Sequence, residues 1–244
     1  GRSRDHTERR LRGFGYSGIE DSTGWIRIQP NGEREAFDLM VPGDPSSAAF
    51  LVGAALLAER GELRLIGIGM NPTRTGFLRI LERMGAWVES VRTGISAGEP
   101  VGDYAVSPSE LRGTIVTPSE VAGVIDEIPM LAVLASRAKG ESRFLDVGEL
   151  RVKESDRLSL LAENLRAVGA KAAVEGNNLI VEGGSSPPKG RVKTEGDHRI
   201  AMAFEVLNSI KGASVKVDNL ECAAVSFPTF SETLRTILVQ GKSR

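Results

Sequence analysis

The sequence predicts an α/β fold (α+β in the looser sense) of three repeats, with apolar helices inside and sheets outside. Three observations predict it. Three stretches open on an aspartate and run on as apolar, Ala-rich helices: "DPSSAAFLVGAALLAERGELRLIGIG" from Asp44, "DEIPMLAVLASRAKGESRFLDVG" from Asp126 and "DHRIAMAFEVLNSIKGASVKVDN" from Asp197. Each reaches a glycine (Gly61, Gly140, Gly212) where a left-handed residue can end a helix. A short β-branched strand then follows in every case. Helices apolar on most faces belong in a core rather than on a surface.

The elements fall in order. "SRDHTERRLRGFG" reads as an amphipathic helix with Ser3 or Asp5 as its cap. "WIRIQPNGEREAFDLMV" reads as a hairpin about Pro30-Asn31-Gly32. One helix and two strands bury too little to stand alone, so residues 1–42 are set apart and need something beside them. Residues 43–244 carry the repeats. After the first apolar helix and strand come a second helix, "TGFLRILERMGA", and the alternating strands "WVESV" and "DYAVS". The second repeat continues with "ESDRLSLLAENLRAVGA", then "KAAVE" and "NLIVEG" about an Asn177-Asn178 turn. The third ends in "FPTFSETLRTILVQG". Units of roughly 70 to 80 residues argue against a solenoid of short repeats.

Composition narrows the function classes. Lys and Arg number 31 against 32 Asp and Glu, a net charge of -1, so there is no basic field of the kind nucleic-acid binders carry. Anion binding must then be local. At 41% hydrophobic the chain has ample core. The single cysteine, Cys222, cannot form an internal disulfide and suits a reducing compartment, the cytoplasm. The longest apolar run, "AAFLVGAALLA", is about half a membrane span, and no signal peptide opens the sequence. The chain begins on Gly1, so whatever precedes it lies outside this sequence.

"LRVKESDRLS", residues 150–159, packs both charge signs together in an otherwise ordinary chain. Arg151, Lys153 and Arg157 can converge on one side of a turn; the blander reading is a solvated face with Glu154 and Asp156 as partners. Asp44, Asp126 and Asp197 each read as an N-cap, which requires no function. "EGDHRIAMAF" is less bland, because a His and an Arg in the first turn of an apolar helix oppose its dipole. Arg199 is paired to a carboxylate or waits for an anion; His198 reads as a structural imidazole rather than a base.

Taken in order, "SRDHTERRL", "VPGDPSSAAF", "MNPTRTGFL", "DEIPMLAVLA", "LRVKESDRL", "EGDHRIAMAF" and "SFPTF" resemble the 5-enolpyruvylshikimate-3-phosphate synthases (EPSP synthases) along essentially the whole chain. Within them the likeness is to the glyphosate-tolerant bacterial class. The resemblance implies an inverse γ/β prism of the enolpyruvyl transferase type. It also implies transfer of the enolpyruvyl group of phosphoenolpyruvate to the 5-hydroxyl of shikimate 3-phosphate, with release of phosphate and with neither cofactor nor metal. By motif, Asp126 would take the hydroxyl proton and Glu154 would exchange protons with the methylene carbon. Lys153 would meet the shikimate side, Arg157 and Arg199 would hold phosphoenolpyruvate, and Ser3 and Arg4 would meet the shikimate phosphate.

Two positions depart from the family pattern. Val225 stands where some members carry a Lys, and Glu149 where others carry Asn. The family has two prism domains, so residues 1–42 read as the tail of the other domain. Residues 43–244 read as one domain short of a strand, and a complementary N-terminal half would supply the opposite wall of the site. The alternatives are an inactive fragment and a UDP-N-acetylglucosamine enolpyruvyl transferase.

Overall fold

The computed structural model describes residues 3–16, 19–22, 25–28, 36 and 38–240. Helix α1 (His6–Gly13) opens the chain with Asp5 at its cap position, although the Asp5 side chain caps no backbone N–H. Strands β1 (Ile19–Ser22) and β2 (Trp25–Ile28) form an antiparallel pair. The strand at "WIRI" is therefore present and pairs with the upstream β1, while the downstream strand expected as its partner falls mostly outside the described residues. The expected Pro30–Gly32 turn lies outside the described residues.

The repeats are as the sequence predicts. The first holds α2 (Pro45–Leu57), β3 (Leu63–Gly69), α3 (Gly76–Arg83), β4 (Trp87–Ser96) and β5 (Glu99–Ser107), with sheet order β3-β5-β4. The second opens on β6 (Ile115–Val116) and α4 (Pro118–Val121). It continues through α5 (Ile128–Ala135), β7 (Glu141–Phe144), α6 (Arg157–Ala167), β8 (Lys171–Glu175) and β9 (Asn178–Glu182), with sheet order β6-β7-β9-β8. The third has β10 (Lys189–Val192), α7 (His198–Asn208), β11 (Ser214–Val217) and α8 (Phe230–Gln240), with β10 and β11 as a parallel pair. Gly61, Gly140 and Gly212 all take positive φ between helix and strand. The β8–β9 turn falls on Gly176-Asn177, one residue earlier than the sequence suggests, because Gly176 supplies the left-handed residue.

Helices α2, α5 and α7 pack on one another at the centre, and every residue of α5 is buried. They approach closely: a Cβ on Gly53 of α2 would come within 2.7 Å of the Met130 sulfur on α5. Phe50 of α2 meets Phe230 of α8 edge to face at 6.2 Å, which seals the third repeat to the first. No helix among the described residues is long and apolar enough to cross a membrane.

One helix departs from expectation, and the departure shapes the site. Asp44 and Asp197 cap α2 and α7 with their side chains, but Asp126 caps nothing. The chain turns through residues 122–127 and α5 starts late, with Glu127 at the cap position. Asp126 is thereby left with a free carboxylate, and α5 spans about two turns rather than four.

Close backbone approach after β9 gives a test. A Cβ on Gly183 would lie 1.7 Å from the Ala138 carbonyl oxygen, whereas one on Gly184 would meet nothing. Gly183→Ala should cost about 1–3 kcal/mol and Gly184→Ala within about 0.5, read as paired denaturation midpoints.

Candidate active site

The site begins with a helix cap that carries a second burden. Asp197 accepts hydrogen bonds from the backbone N–H groups of Arg199 (2.9 Å) and Ile200 (3.3 Å). It also takes Arg157 in two-pronged fashion, from Nε at 2.8 Å and from Nη2 at 3.1 Å, and the Ser155 hydroxyl at 3.1 Å. Neither Arg157 nor Asp197 exposes any side chain. Burial alone would raise the Asp197 pKa, but the hydrogen bond and charge of Arg157 and two backbone N–H groups hold it below the usual aspartate value.

Arg157 Nη2 also pairs with Glu154, whose side chain stays half exposed. Its Nη1 is buried without a hydrogen-bond partner and lies 4.0 Å from Asp126 Oδ1. Asp126 is the convergence point. Arg199 approaches its carboxylate at 3.7 Å and donates to its backbone carbonyl at 3.3 Å. Arg74 stands at 3.8 Å, and Arg4 makes a direct hydrogen bond. Burial pushes the Asp126 pKa up, but Arg199, Arg4, Arg74 and Arg157 together overcome it and keep the group ionised. Four guanidiniums from four separate segments thus surround one carboxylate.

Arg4 is brought there by a polar clamp. Its backbone adopts φ 61°, and its N–H donates to Thr73 Oγ1 at 3.1 Å. Asn71 donates to Asp5 at 2.8 Å and accepts from the Thr73 backbone N–H at 2.9 Å. Asp5 also accepts from Arg9 at 2.8 Å, while His6 meets the buried Glu99 at 2.6 Å. Gly13 and Gly98 let α1 lie directly on the β4–β5 turn, since a Cβ on either would strike backbone within 2.5 Å.

The structure gathers Asp126, Glu154, Arg4, Arg157 and Arg199. It does not gather the "LRVKESDRLS" cations as a trio. Arg151 turns to Asp156, Ser159 and the Gly176 carbonyl, and Lys153 pairs with Glu149 at 2.6 Å. That pairing is a direct consequence of the glutamate at 149. Ser3 sits half-buried just ahead of Arg4, without a hydrogen bond into the cluster. Val225 is exposed. Burial, then the Arg199 charge, lowers the His198 pKa and favours the neutral imidazole.

Sequence reasoning missed Arg74, Ser46 and Glu127. Arg74 hydrogen-bonds Ser46, and Ser46 in turn donates to Glu127 at 2.5 Å. Arg74 lies two residues ahead of the amphipathic α3, so the signal that singles out Arg199, a cation in the first turn of an apolar helix, is absent there.

Three repeats with helices inside and sheets outside, whose helix starts converge on ion-paired arginines, define a mixed α/β protein with a cationic cluster at one end of its central helices. The chain belongs to the EPSP synthase (3-phosphoshikimate 1-carboxyvinyltransferase) family, whose profile matches residues 2–234. The 3-phosphoshikimate 1-carboxyvinyltransferase of Desulforamulus reducens is 39% identical over 239 residues, covering 98% of this chain and 55% of the relative. That of Parvibaculum lavamentivorans is 45% identical, covering 96% and 53%. The structure of EPSP synthase from Acinetobacter baumannii superposes with a TM-score of 0.91 at 35% identity, over 98% of this chain and 55% of that one. An enolpyruvyl transferase from Streptomyces tendae, at 22% identity and a TM-score of 0.69, shares the fold. The chain spans about half the length of the relatives it matches.

The buried pair sets an expectation for stability. Asp197→Asn takes from Arg157 its fully buried carboxylate, leaving the half-exposed Glu154 and the more distant Asp126, and should cost about 3–5 kcal/mol at neutral pH. Because its native pKa is lowered, Asp197 contributes fully above the ordinary value of 3.8 and loses that contribution as pH falls through the native value. Melting curves from pH 7 into acid should therefore fall more steeply for the parent than for Asp197→Asn.

Proposed function

We propose that this chain supplies one wall of an EPSP synthase active site. The reaction is transfer of the enolpyruvyl group of phosphoenolpyruvate to the 5-hydroxyl of shikimate 3-phosphate, with release of phosphate. The observation that carries the reading is the ring of Arg4, Arg74, Arg157 and Arg199 about Asp126, beside family membership over nearly the whole chain. Both substrates are multiply charged anions, and a chain of net charge -1 has to concentrate its cations to hold them.

In this reading Asp126 takes the proton of the attacking hydroxyl, and Glu154 gives a proton to the methylene carbon. The hydroxyl oxygen bonds to the enol carbon; a methyl proton then returns to Glu154 as the bond to phosphate breaks, and the departing phosphate carries away the proton held on Asp126. A carboxylate ringed by cations is a weak base. Phosphate and carboxylate groups entering the site would share those guanidiniums, and their negative charge would raise the proton affinity of Asp126. Arg199 would grip phosphoenolpyruvate. Arg157 offers only its Nη1 edge, the rest of its guanidinium being committed to Asp197 and Glu154. Arg4 and Ser3 would face the shikimate phosphate, and Lys153 would reach the shikimate side on leaving Glu149. The shikimate wording of the curated relatives' names favours this acceptor over a UDP-sugar.

Residues 1–42 are read as the tail of a second prism domain, and a complementary N-terminal half in the cytoplasm as the partner that closes the cleft. The purified chain should show no turnover with shikimate 3-phosphate and phosphoenolpyruvate, and coexpression with that half should restore it. Turnover by this chain with no second polypeptide present by mass spectrometry would overturn the half-site account. In the reconstituted enzyme Glu154→Gln should lower turnover by about 10²–10⁴-fold with little change in binding. Arg199→Ala should raise the phosphoenolpyruvate requirement, and Arg166→Ala, on the outer end of α6, should change neither.

A further inference from the structure

Arg74 is the member of the ring anchored, on the side away from Asp126, through a side-chain hydroxyl rather than directly by a carboxylate. Its Nη2 donates to the Ser46 hydroxyl on α2, and the same hydroxyl donates to Glu127 at 2.5 Å. Glu127 is buried, and burial raises its pKa. A second carboxylate, Asp44 at the cap of α2, stands 3.6 Å from Arg74. The other Arg74 nitrogen, Nη1, faces Asp126 Oδ2 at 3.8 Å. Ser46, Glu127 and Asp126 come from the first turn of α2 and the turn before α5. Arg74 comes from the β3–α3 connection. Its neighbour Thr73 holds the Arg4 backbone at the same time.

Resting on Asp126 as the proton acceptor, we propose that Arg74 is a positioning residue for it. Held from behind by Ser46 and Glu127, Arg74 fixes the orientation and charge of the Asp126 carboxylate without touching either substrate. Direction of support separates it from its neighbours. Arg4 is half exposed on an added segment, Arg199 donates to the Asp126 backbone, and Arg157 belongs to Asp197. Only Arg74 is braced through a side-chain hydroxyl against a buried acid. The charged groups facing Asp126 are thus Arg4 ahead of α1, Arg74 ahead of α3, Arg157 at the start of α6, Arg199 on α7 and Glu127 beside it.

The test needs no turnover. In this chain, carbon-detected NMR follows the Asp126 side-chain carboxyl through a pH titration, assigned by its loss in Asp126→Asn. Arg74→Gln should move the Asp126 midpoint upward, because one cation favouring the ionised form is gone. Arg74→Lys should bring it back toward the parent. A folded Arg74→Gln chain whose Asp126 titrates like the parent's would overturn the inference, even if its melting temperature had fallen. Should Arg74→Gln not fold, Ser46→Ala decides instead: it removes the brace and keeps the charge. A displaced Asp126 midpoint there supports the role, and an unmoved one overturns it. In the reconstituted enzyme Arg74→Gln should lower kcat by about 10–100-fold, with KM for both substrates changed far less. If parent and variants alike lack synthase activity, the functional reading fails while the titration still judges Arg74.

Discussion

Removing a guanidinium and a carboxylate from water together, as Arg157 and Asp197 are, carries an effective penalty of several kcal/mol per ion. The geometry has to return it. Asp197 accepts both prongs of Arg157, two backbone N–H groups of α7 and the Ser155 hydroxyl. That nearly saturates its oxygens. An apolar pair of the same volume could leave the fold as stable, but not the site. Arg157 is the first residue of α6 and Asp197 the cap of α7, so the pair pins two helix starts from different repeats against each other. With those starts fixed, Glu154 is drawn in by Nη2 and Nη1 is aimed at Asp126. A positive charge at a helix start is unfavourable against the dipole, and Asp197 is what makes it tolerable.

Asp126 shows how far local sequence determines role. It opens its repeat as Asp44 and Asp197 open theirs, yet only those two cap their helices. Pro129 suits the first turn of α5, and the chain takes an extra turn before it, so the cap position passes to Glu127. A carboxylate released from capping has lost its backbone donors and must find cations. Four arginines answer, and one of them leans on Glu127. The adjacent acids Asp126 and Glu127 therefore diverge, the first ionised among guanidiniums and the second pushed toward its neutral form by burial.

The parts legible in the sequence were those with period and punctuation. Apolar helices ended by left-handed glycines placed α2, α5 and α7, and alternation placed β4, β5, β8 and β9. Two-residue β6 has no period to read, and β10 is a parallel strand led by Lys and Gly rather than by β-branched residues. The pairing of β2 with the upstream β1 was not legible, because "PNG" is the strong turn signal and nothing comparable marks the β1–β2 turn. Asp126, Glu154, Arg4, Arg157 and Arg199, singled out through motifs rather than through any pattern of spacing, are brought together in the structure. Their direct contacts were not legible. The pairing of Lys153 with Glu149, four residues back, is another such contact. Arg74 sits in a quoted motif, but its brace depends on Ser46 and Glu127, distant in sequence and joined only by the packing of α2 against α5.

Arg4 shows what the segment before the repeats contributes to the charge of the cluster. A non-glycine residue at φ 61° costs on the order of 1–3 kcal/mol, and it persists only where its surroundings over-determine it. Here they do so from two directions: Thr73 holds the backbone and Asp126 holds the side chain. The clamp of Asp5, Asn71 and Thr73, with α1 lying on the β4–β5 turn, fixes the segment independently of Asp126. Its stability therefore does not rest on the ion pair, and Arg4 can exchange Asp126 for another anion without the segment undocking. Arg157 has no such freedom, being buried in a pair that sustains the fold. The ring thus contains a half-exposed cation, Arg4, held by a clamp of its own, and a buried one, Arg157, held by Asp197.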